Sequence, residues 1–248
     1  MKRYFVVAAV IVSMLLVFAV LVATGQPAAA AGPVEVGTAN GGVNAVEFVG
    51  RVDQNGGNFV SYGYLTRISG LTQTLLFSGT LANEAHAHFT FHTSAVLTSR
   101  SVITGAFTTV SGSLTSSVFV IDAVGQTVYY YNPTPGGTFA NPASFAAGIP
   151  IVTATVRSQN ILNVQSPGKG LGTNFAEFTQ AGVRPFTLGS VTYQLGRVGV
   201  MERLFSTGEG INTDPLTPKS FTVLAGNAVV TGLPGQQNFM PLIVRNAP

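Results

Sequence analysis

The chain has 248 residues, with 12 Lys or Arg, 9 Asp or Glu and no cysteine. The missing cysteine excludes disulfides, thiolate metal sites and a lipid-acceptor cysteine. Charged residues make up only 8% of the chain, and no run of Lys or Arg occurs, so the composition predicts no nucleic-acid partner.

Residues 1–31 carry the features of a secretory signal peptide in their usual order. Lys2 and Arg3 precede an apolar run over residues 4–24, and alanines occupy positions 28–31. We expect cleavage after one of the last three alanines, near Gly32. The alternative is an uncleaved anchor, because roughly 20 apolar residues are enough to cross a bilayer. Both alternatives predict a secreted or cell-surface chain, and only the uncleaved form is expected to contact a membrane.

Two absences favour a bacterial source for this exported chain. No cysteine occurs, and no Asn-X-Ser/Thr acceptor site is present, because Asn132-Pro133-Thr134 is excluded by its proline. An exported fold without disulfides must depend on its hydrophobic core, and the chain after residue 31 is long enough to bury one.

The first predicted strands follow a short glycine-rich segment. Residues 32–44 show little periodicity and predict a flexible leading segment. Residues 45–53 and 58–68 are rich in β-branched and aromatic residues. The intervening Gln54–Gly57 contains Asn-Gly, which predicts a β-hairpin.

Further β-rich runs recur at short intervals towards the middle of the chain. They predict strands over residues 73–79, 85–97, 101–110, 116–122 and 127–132. The sequence DAVGQ, Asp122–Gln126, predicts a hairpin between the last two. No helical periodicity spans ten residues after residue 31, so the sheets are expected to be mainly antiparallel.

Residues 132–149 form the longest irregular connection and are rich in proline and glycine. Within it Asn141, Pro142 and Gly148 predict a short helix over residues 142–147. Strand patterns then resume over residues 150–159, 161–165, 186–196, 200–205 and 220–232. About ten to twelve short strands predict a single all-β domain over residues 45–248, either a closed β-barrel or a two-sheet β-sandwich.

All three histidines lie in the sequence NEAHAHFTFH, residues 83–92. Side chains alternate along a strand, so a strand here places His86, His88 and His92 on one face and Phe89 and Phe91 on the core face. The simplest interpretation of the histidine face is an exposed polar surface. The alternative is a polar cavity in which imidazoles contact an organic ligand.

His86 and His88 are also the candidate metal ligands of this chain. Same-face neighbours on a strand are about 6.6 Å apart between Cα atoms, so their rings can converge on one divalent ion. His92 lies about 13 Å beyond His88 on a straight strand, too far to join them. A metal site therefore requires a further ligand from a neighbouring strand, and no other cofactor is expected.

The sequence VYYYNPTPGG offers a second candidate site. Alternation places Tyr129 and Tyr131 on one face of a strand that ends at the irregular connection. Tyrosines beside a loop can bind a small ligand, a sugar or a partner protein, although core packing is the commoner role. Two carboxylates near the end of the chain, Glu202 and Glu209, are expected to form surface ion pairs.

No motif for a catalytic nucleophile occurs. SPGKGLG, residues 166–172, is not a phosphate-binding loop, because no Ser or Thr follows its lysine, and it predicts a tight connection between strands. We therefore expect an exported β domain with a binding or structural role and no catalysis of its own. One alternative is a metal- or ligand-dependent enzyme that uses the His86/His88 face. A second alternative is an adhesion or matrix component that uses uncharged Ser- and Thr-rich faces.

Overall fold

Eight long strands form a closed antiparallel barrel in the computed structural model of this chain. The structure describes residues 32–38, 44–110, 112–166, 168–214 and 219–232. The strands in these ranges are β1 (Val34–Val36), β2 (Asn44–Asn55), β3 (Asn58–Ile68), β4 (Phe89–Thr109), β5 (Gly112–Tyr131), β6 (Ile149–Ser166), β7 (Lys169–Val183), β8 (Phe186–Leu188), β9 (Val191–Leu195), β10 (Met201–Asp214) and β11 (Lys219–Gly232). The predicted all-β, mainly antiparallel class is confirmed, and the barrel is the correct one of its two alternatives.

The barrel is a meander in which neighbouring strands follow one another along the chain. The order is β2-β3-β4-β5-β6-β7-β10-β11, and β11 pairs with β2 to close the circle. Closure pairs every barrel strand on both sides, and β4 and β5 continue as a two-stranded extension beyond Leu97. Strands β1, β9 and β8 form a separate three-stranded sheet, in which β1 runs parallel to β9.

This topology gives the barrel two unlike ends. The hairpin end carries the connections β2–β3, β4–β5, β6–β7 and β10–β11, each of which joins consecutive strands directly. The loop end carries the longer connections β3–β4, β5–β6 and β7–β10, together with the small sheet. The loop end is therefore where extra chain is available to cover the barrel.

The predicted first hairpin is confirmed, because β2 ends at Asn55 and β3 begins at Asn58. Gly56 has φ +60°, a conformation that favours glycine. The tight connection within residues 166–172 is also confirmed, since β6 ends at Ser166 and β7 begins at Lys169.

The predicted hairpin at Asp122–Gln126 is wrong. These residues lie inside β5, which pairs with β4 from Phe89↔Tyr131 to Thr109↔Gly112. Gly125 permits a close approach between strands here, because a Cβ at this position would lie 2.0 Å from the carbonyl oxygen of Ser94. Predicted short strands thus merge into strands of 21 residues in β4 and 20 in β5.

Residues 73–88 differ from prediction because they fold back on themselves. Gln73–Leu76 is a short helix, α1, and not a strand. The backbone N–H of Ser78 donates to the carbonyl of His86, and that of His88 donates to the carbonyl of Leu76. The predicted strand over residues 85–97 therefore begins only at Phe89. Phe89 and Phe91 are buried as predicted.

The irregular connection packs on the outer face of β3. It contains a 3₁₀ helix, Pro142–Ala146, which confirms the predicted short helix. Phe145 is fully buried, with its ring centroid 5.4 Å from that of Tyr62. Thr90 Oγ1 donates to the carbonyl of Phe145 at 2.6 Å. This segment is therefore held in place although it lacks strand structure.

The small sheet closes the loop end of the barrel with aromatic rings. Phe186 of β8 lies 5.3 Å from both Phe89 and Tyr131, measured between ring centroids. Val36 and Leu195, on the paired strands β1 and β9, are also buried. Part of the predicted flexible leading segment is thus strand β1, whereas the predicted signal peptide over residues 1–31 lies outside the described residues.

The described residues from Pro33 onward belong to one compact unit. Within the part of the chain that the structure describes, no helix has the length and apolar character needed to span a membrane.

Candidate ligand cavity

The barrel encloses a cavity of about 830 Å³ that begins at the hairpin end. Inward-facing residues of all eight barrel strands line it. Gly56 and Gly168, in the β2–β3 and β6–β7 connections, also contribute to its lining, which places the mouth at this end. A volume of this size lies within the roughly 300–1,000 Å³ typical of small-molecule sites.

One wall of the cavity is apolar and rich in aromatic rings. Its inward positions on β2, β3 and β4 include Phe48, Val52, Phe59, Phe91 and Leu97, with Gln54, Ser61 and Thr93 between them. Phe48 and Phe91 meet edge to face, with ring centroids 5.6 Å apart. The arrangement follows from period-two alternation, which turns every second residue of these strands inward.

The facing wall carries a row of uncharged polar side chains, which we call the polar row. It consists of Asn160 on β6, Asn174 on β7 and Ser206 on β10. Asn160 pairs with Asn174, and Asn174 pairs with Ser206, in the strand register. Asn174 Oδ1 is buried and has no hydrogen-bond partner among the described residues. The cavity is therefore amphipathic.

Three cations, which we call the rim cations, also line the cavity: Arg100, Lys169 and Lys219. Lys169 begins β7 and Lys219 begins β11, so both lie at the hairpin end. Arg100 lies on β4, three residues after Leu97. The backbone N–H of Leu97 donates to the carbonyl of Gly57 in the β2–β3 turn. No Asp or Glu occurs among the described residues that line the cavity. Because Gly170 and Ser220 are inward residues of the lining, alternation turns the side chains of Lys169 and Lys219 outward, and Arg100 is the cation whose side chain lies on the inner face.

Other contacts hold two of the rim cations in place. The Arg100 guanidinium lies 4.7 Å above the centroid of the Phe119 ring, which also lines the cavity. Lys169 Nζ lies 3.0 Å from a carboxylate oxygen of Glu209. This pair confirms the surface ion pairing predicted for Glu209. Arg100 keeps its charge beside an apolar ring, where a guanidinium also binds carboxylates well.

Glu202 differs from prediction, because it is buried inside the barrel towards the loop end. Only 3% of its surface is exposed, and Gln180 Nε2 donates to its Oε1 at 2.8 Å. Burial raises the pKa of Glu202 to about 7, although the Gln180 hydrogen bond acts in the opposite direction. Gln180 is itself 2% exposed, and its Oε1 has no hydrogen-bond partner in the described part of the chain.

The two candidate tyrosines lie in the barrel interior and not on an outer surface. Tyr129 lines the inner part of the cavity, and Tyr131 packs against Phe89 and Phe186 at the loop end. Burial, followed by the nearby charge of Glu202, raises the pKa of Tyr129 well above its usual value. The two side chains share one face of β5 as predicted, and that face points inward.

The three histidines do not lie together on a strand face. His86 lies in a turn, where its Nδ1 donates to Asn83 Oδ1 at 2.7 Å. His88 precedes β4, and its Nδ1 donates to the carbonyl of Asn132 at 2.8 Å. His92 lies on β4, and burial lowers the pKa of its imidazole. None of the three lines the cavity.

Across the described ranges, no group of three or more His, Cys, Asp or Glu residues is arranged to hold a metal ion. Because the Nδ1–H groups of His86 and His88 both donate to carbonyl oxygens, each neutral ring has its lone pair on Nε2. Metal binding by these two histidines stays a prediction.

Sequence reasoning missed the polar row and the rim cations. The members of the row come from three strands, and only the strand register brings them together. Lys169 was visible in SPGKGLG, but its position at the mouth depends on barrel closure.

Comparison of the chain with protein-family profiles, curated proteins and solved structures finds no match.

Proposed function

We propose that this protein is an exported binding protein that holds one small amphipathic organic anion inside its barrel. The observation that carries the proposal is the cavity itself, with large aromatic rings, the guanidinium of Arg100 and no carboxylate in its described lining. The ligand's apolar part lies against Phe48 and Phe91, and its anionic group lies at the mouth.

The packing of the barrel supports an interior ligand. Eight-stranded barrels either fill their interior with side chains or leave room for one small ligand. Here the loop end is filled by large rings such as Phe89, Tyr131 and Phe186, whereas the hairpin end retains about 830 Å³. An apolar ligand gains roughly 25 cal/mol for each Å² of apolar surface that it buries there.

The charge distribution supports an anion over a cation. Arg100 lies against Phe119 on the cavity wall, and Lys169 and Lys219 lie at the rim with their side chains on the outer face. A cation beside a low-dielectric cavity attracts ligands of the opposite sign and speeds their association. Because the rim is exposed, this attraction weakens as ionic strength rises.

The features of residues 1–31 support export, and the proposal assigns the protein no catalysis. A protein that carries or sequesters a ligand outside the cytoplasm requires only a stable fold with an accessible cavity. The disulfide-free barrel supplies such a fold, because its eight strands pair in a closed circle.

Isothermal titration with three twelve-carbon probes tests this function: dodecanoate, dodecanol and dodecylammonium. We expect one dodecanoate per chain, an affinity about tenfold above that of dodecanol, and still weaker binding of the cation. The dodecanoate affinity should fall with added salt. Absence of saturable binding by all three probes, or an equal affinity for the anion and the cation, would overturn the proposal.

A pair of matched variants locates the binding site. Ala95→Phe places a ring in the cavity, because Ala95 is an inward residue of its lining. Ala225→Phe places the same ring outside, because Ala225 lies on β11 next to the inward residue Leu224 and is exposed. We expect Ala95→Phe to abolish dodecanoate binding and Ala225→Phe to preserve it. Equal binding by both variants would place the ligand outside the barrel.

A further inference from the structure

Strands β4 and β5 extend beyond the rest of the barrel at its hairpin end. β3 pairs with β4 only as far as Asn58↔Val96, whereas β4 continues to Thr109 and pairs with β5 over this whole length. β5 stays paired with β6 as far as Ser117. Among the described residues, β4 therefore has no strand on its second side over residues 99–109, which we call the free edge.

Alternation in the β4–β5 ladder determines which backbone groups of the free edge point outward. In an antiparallel pair, residues that exchange hydrogen bonds alternate with residues whose N–H and C=O groups point away from the partner strand. A two-residue turn closes on a hydrogen-bonded pair, here Thr109↔Gly112. Counting back from this turn, the outward residues are Arg100, Val102, Thr104, Ala106 and Thr108.

The free edge lacks the features that usually prevent edge strands from pairing. Proline, lysine and very short length are common protective features. Residues 99–109 contain no proline and no lysine, and their one charged side chain, Arg100, lies above the ring of Phe119. Val102 is 51% exposed and Ile103 is 63% exposed. A long, nearly uncharged edge with exposed β-branched side chains is a template for pairing with another strand.

We propose that the free edge pairs with the free edge of a second copy of this chain, in antiparallel orientation about a two-fold axis at Thr104. In this register each outward residue meets an outward residue of the copy, so that Val102 lies opposite Ala106. The pairing forms about ten backbone hydrogen bonds, which is the number found in a typical protein–protein interface. It does not depend on a bound ligand.

The sequence of the free edge favours a second copy as the partner. The two Arg100 side chains lie at opposite ends of the paired strands, roughly 26 Å apart at 3.3 Å per residue, so like charges do not face each other. The exposed Ile103 lies opposite Gly105, where no side chain competes for space. The β4 strand of the copy then lies where β3 would continue past Asn58.

Analytical ultracentrifugation of the ligand-free protein tests the pairing. We expect a dimer that dissociates on dilution. Thr104→Lys places two ammonium groups opposite each other at the axis and should weaken the dimer about fivefold. Thr104→Pro removes an outward N–H from each copy, and hence two hydrogen bonds, and should weaken the dimer about tenfold while circular dichroism stays unchanged. Asn163→Lys is the control, because Asn163 is exposed on β6, which is paired on both sides, and it should leave the dimer intact.

The absence of cysteine from the chain allows a direct test of the register. Thr104→Cys should form a disulfide between two copies on mild oxidation, because opposite residues in an antiparallel pair have Cα atoms about 4.5–5.5 Å apart, within the range that disulfides bridge. Asn163→Cys should not cross-link. A monomer at every concentration, a dimer unaffected by both Thr104→Lys and Thr104→Pro, or equal cross-linking of the two cysteine variants would overturn the inference and leave the proposed function intact.

Discussion

The two ends of the barrel are built from the same eight strands but have opposite characters. At the loop end, long connections and a small sheet bring Phe89, Tyr131 and Phe186 together in a filled core. At the hairpin end, the described residues leave a cavity in the interior, with Arg100 in its lining. The longer connections at the loop end supply the chain that covers the interior there.

Residues that determine stability and residues that determine binding therefore lie at opposite ends of the barrel. Changes at the loop end should alter the free energy of unfolding and should affect ligand binding only indirectly. Changes at the hairpin end should alter affinity with little effect on stability.

Phe89→Ala should lower the free energy of unfolding by about 4 kcal/mol, because it removes a fully buried ring and leaves a cavity in the loop-end core. Phe59→Ala, which removes a half-buried ring from the cavity wall, should lower it by about 1 kcal/mol. Urea unfolding monitored by circular dichroism measures both values. Equal losses would show that the hairpin end contributes as much packing as the loop end.

Glu202→Gln should change how stability depends on pH. The pKa of Glu202 rises from its ordinary value of 4.5 to about 7 in the folded chain, mainly through burial. Between these values the folded chain keeps a proton that the unfolded chain has lost, so stability falls as pH rises from 4.5 to 7. The total fall is about 3 kcal/mol, at about 1.4 kcal/mol for each pKa unit.

Unfolding experiments at pH 4.5 and pH 8 check this dependence. The groups beside Glu202 are Gln180, which has no charge, and Tyr129, whose pKa is raised well above its usual value so that it stays neutral in this range. The fall should disappear in Glu202→Gln and persist in Glu177→Gln, which alters an exposed carboxylate paired with Arg203. A fall of the same size in both variants would contradict the assignment to Glu202.

Gly196→Ala should destabilise the chain by about 2 kcal/mol through two separate effects. Its φ of +65° is unfavourable for alanine. A Cβ there would also lie 2.3 Å from Oε1 of the buried Gln180. Gly189→Ala is the matched control, because Gly189 has φ +60° but no atom within 4 Å of an added Cβ.

Thermal unfolding of the two glycine variants separates strain from collision. We expect Gly189→Ala to lose about 1 kcal/mol from backbone strain alone. The additional loss in Gly196→Ala then measures how tightly the β9–β10 connection covers the Gln180–Glu202 pair. Identical losses would show that Gln180 yields easily and that the loop end is less firmly packed than the contacts indicate.

Local features of the fold were predictable wherever neighbouring residues decide the structure. Asn-Gly specified the β2–β3 turn, and alternation identified Phe89 and Phe91 as core residues. The same local reasoning failed at Gly125, because a glycine in a strand can serve a close backbone approach as well as a turn. Nothing in the neighbouring sequence distinguishes the two uses.

Barrel closure and the candidate site depend on contacts between distant segments. Closure requires β11 to pair with β2, where Asn227 meets Glu47 across most of the chain. Neither strand's composition distinguishes that pairing from a sandwich. The polar row was hidden for a related reason, since Asn174 is the one asparagine among inward residues of β7 that include Gly172 and Ala176. Its neighbours on other strands become apparent only from the register.

Arg100→Gln should have the smallest effect, a loss of about fivefold in dodecanoate affinity, because an exposed charge pair contributes at most about 1 kcal/mol. Dodecanol affinity and the free energy of unfolding should stay unchanged, since Arg100 is exposed. The variant should also show a weaker dependence of dodecanoate affinity on salt. Arg203→Gln is the control, because Arg203 pairs with Glu177 and does not line the cavity. A matching loss for dodecanol would mean that Arg100 acts through its packing on Phe119 and not through its charge, and the cavity would then lose the inward cation on which its preference for an anion rests.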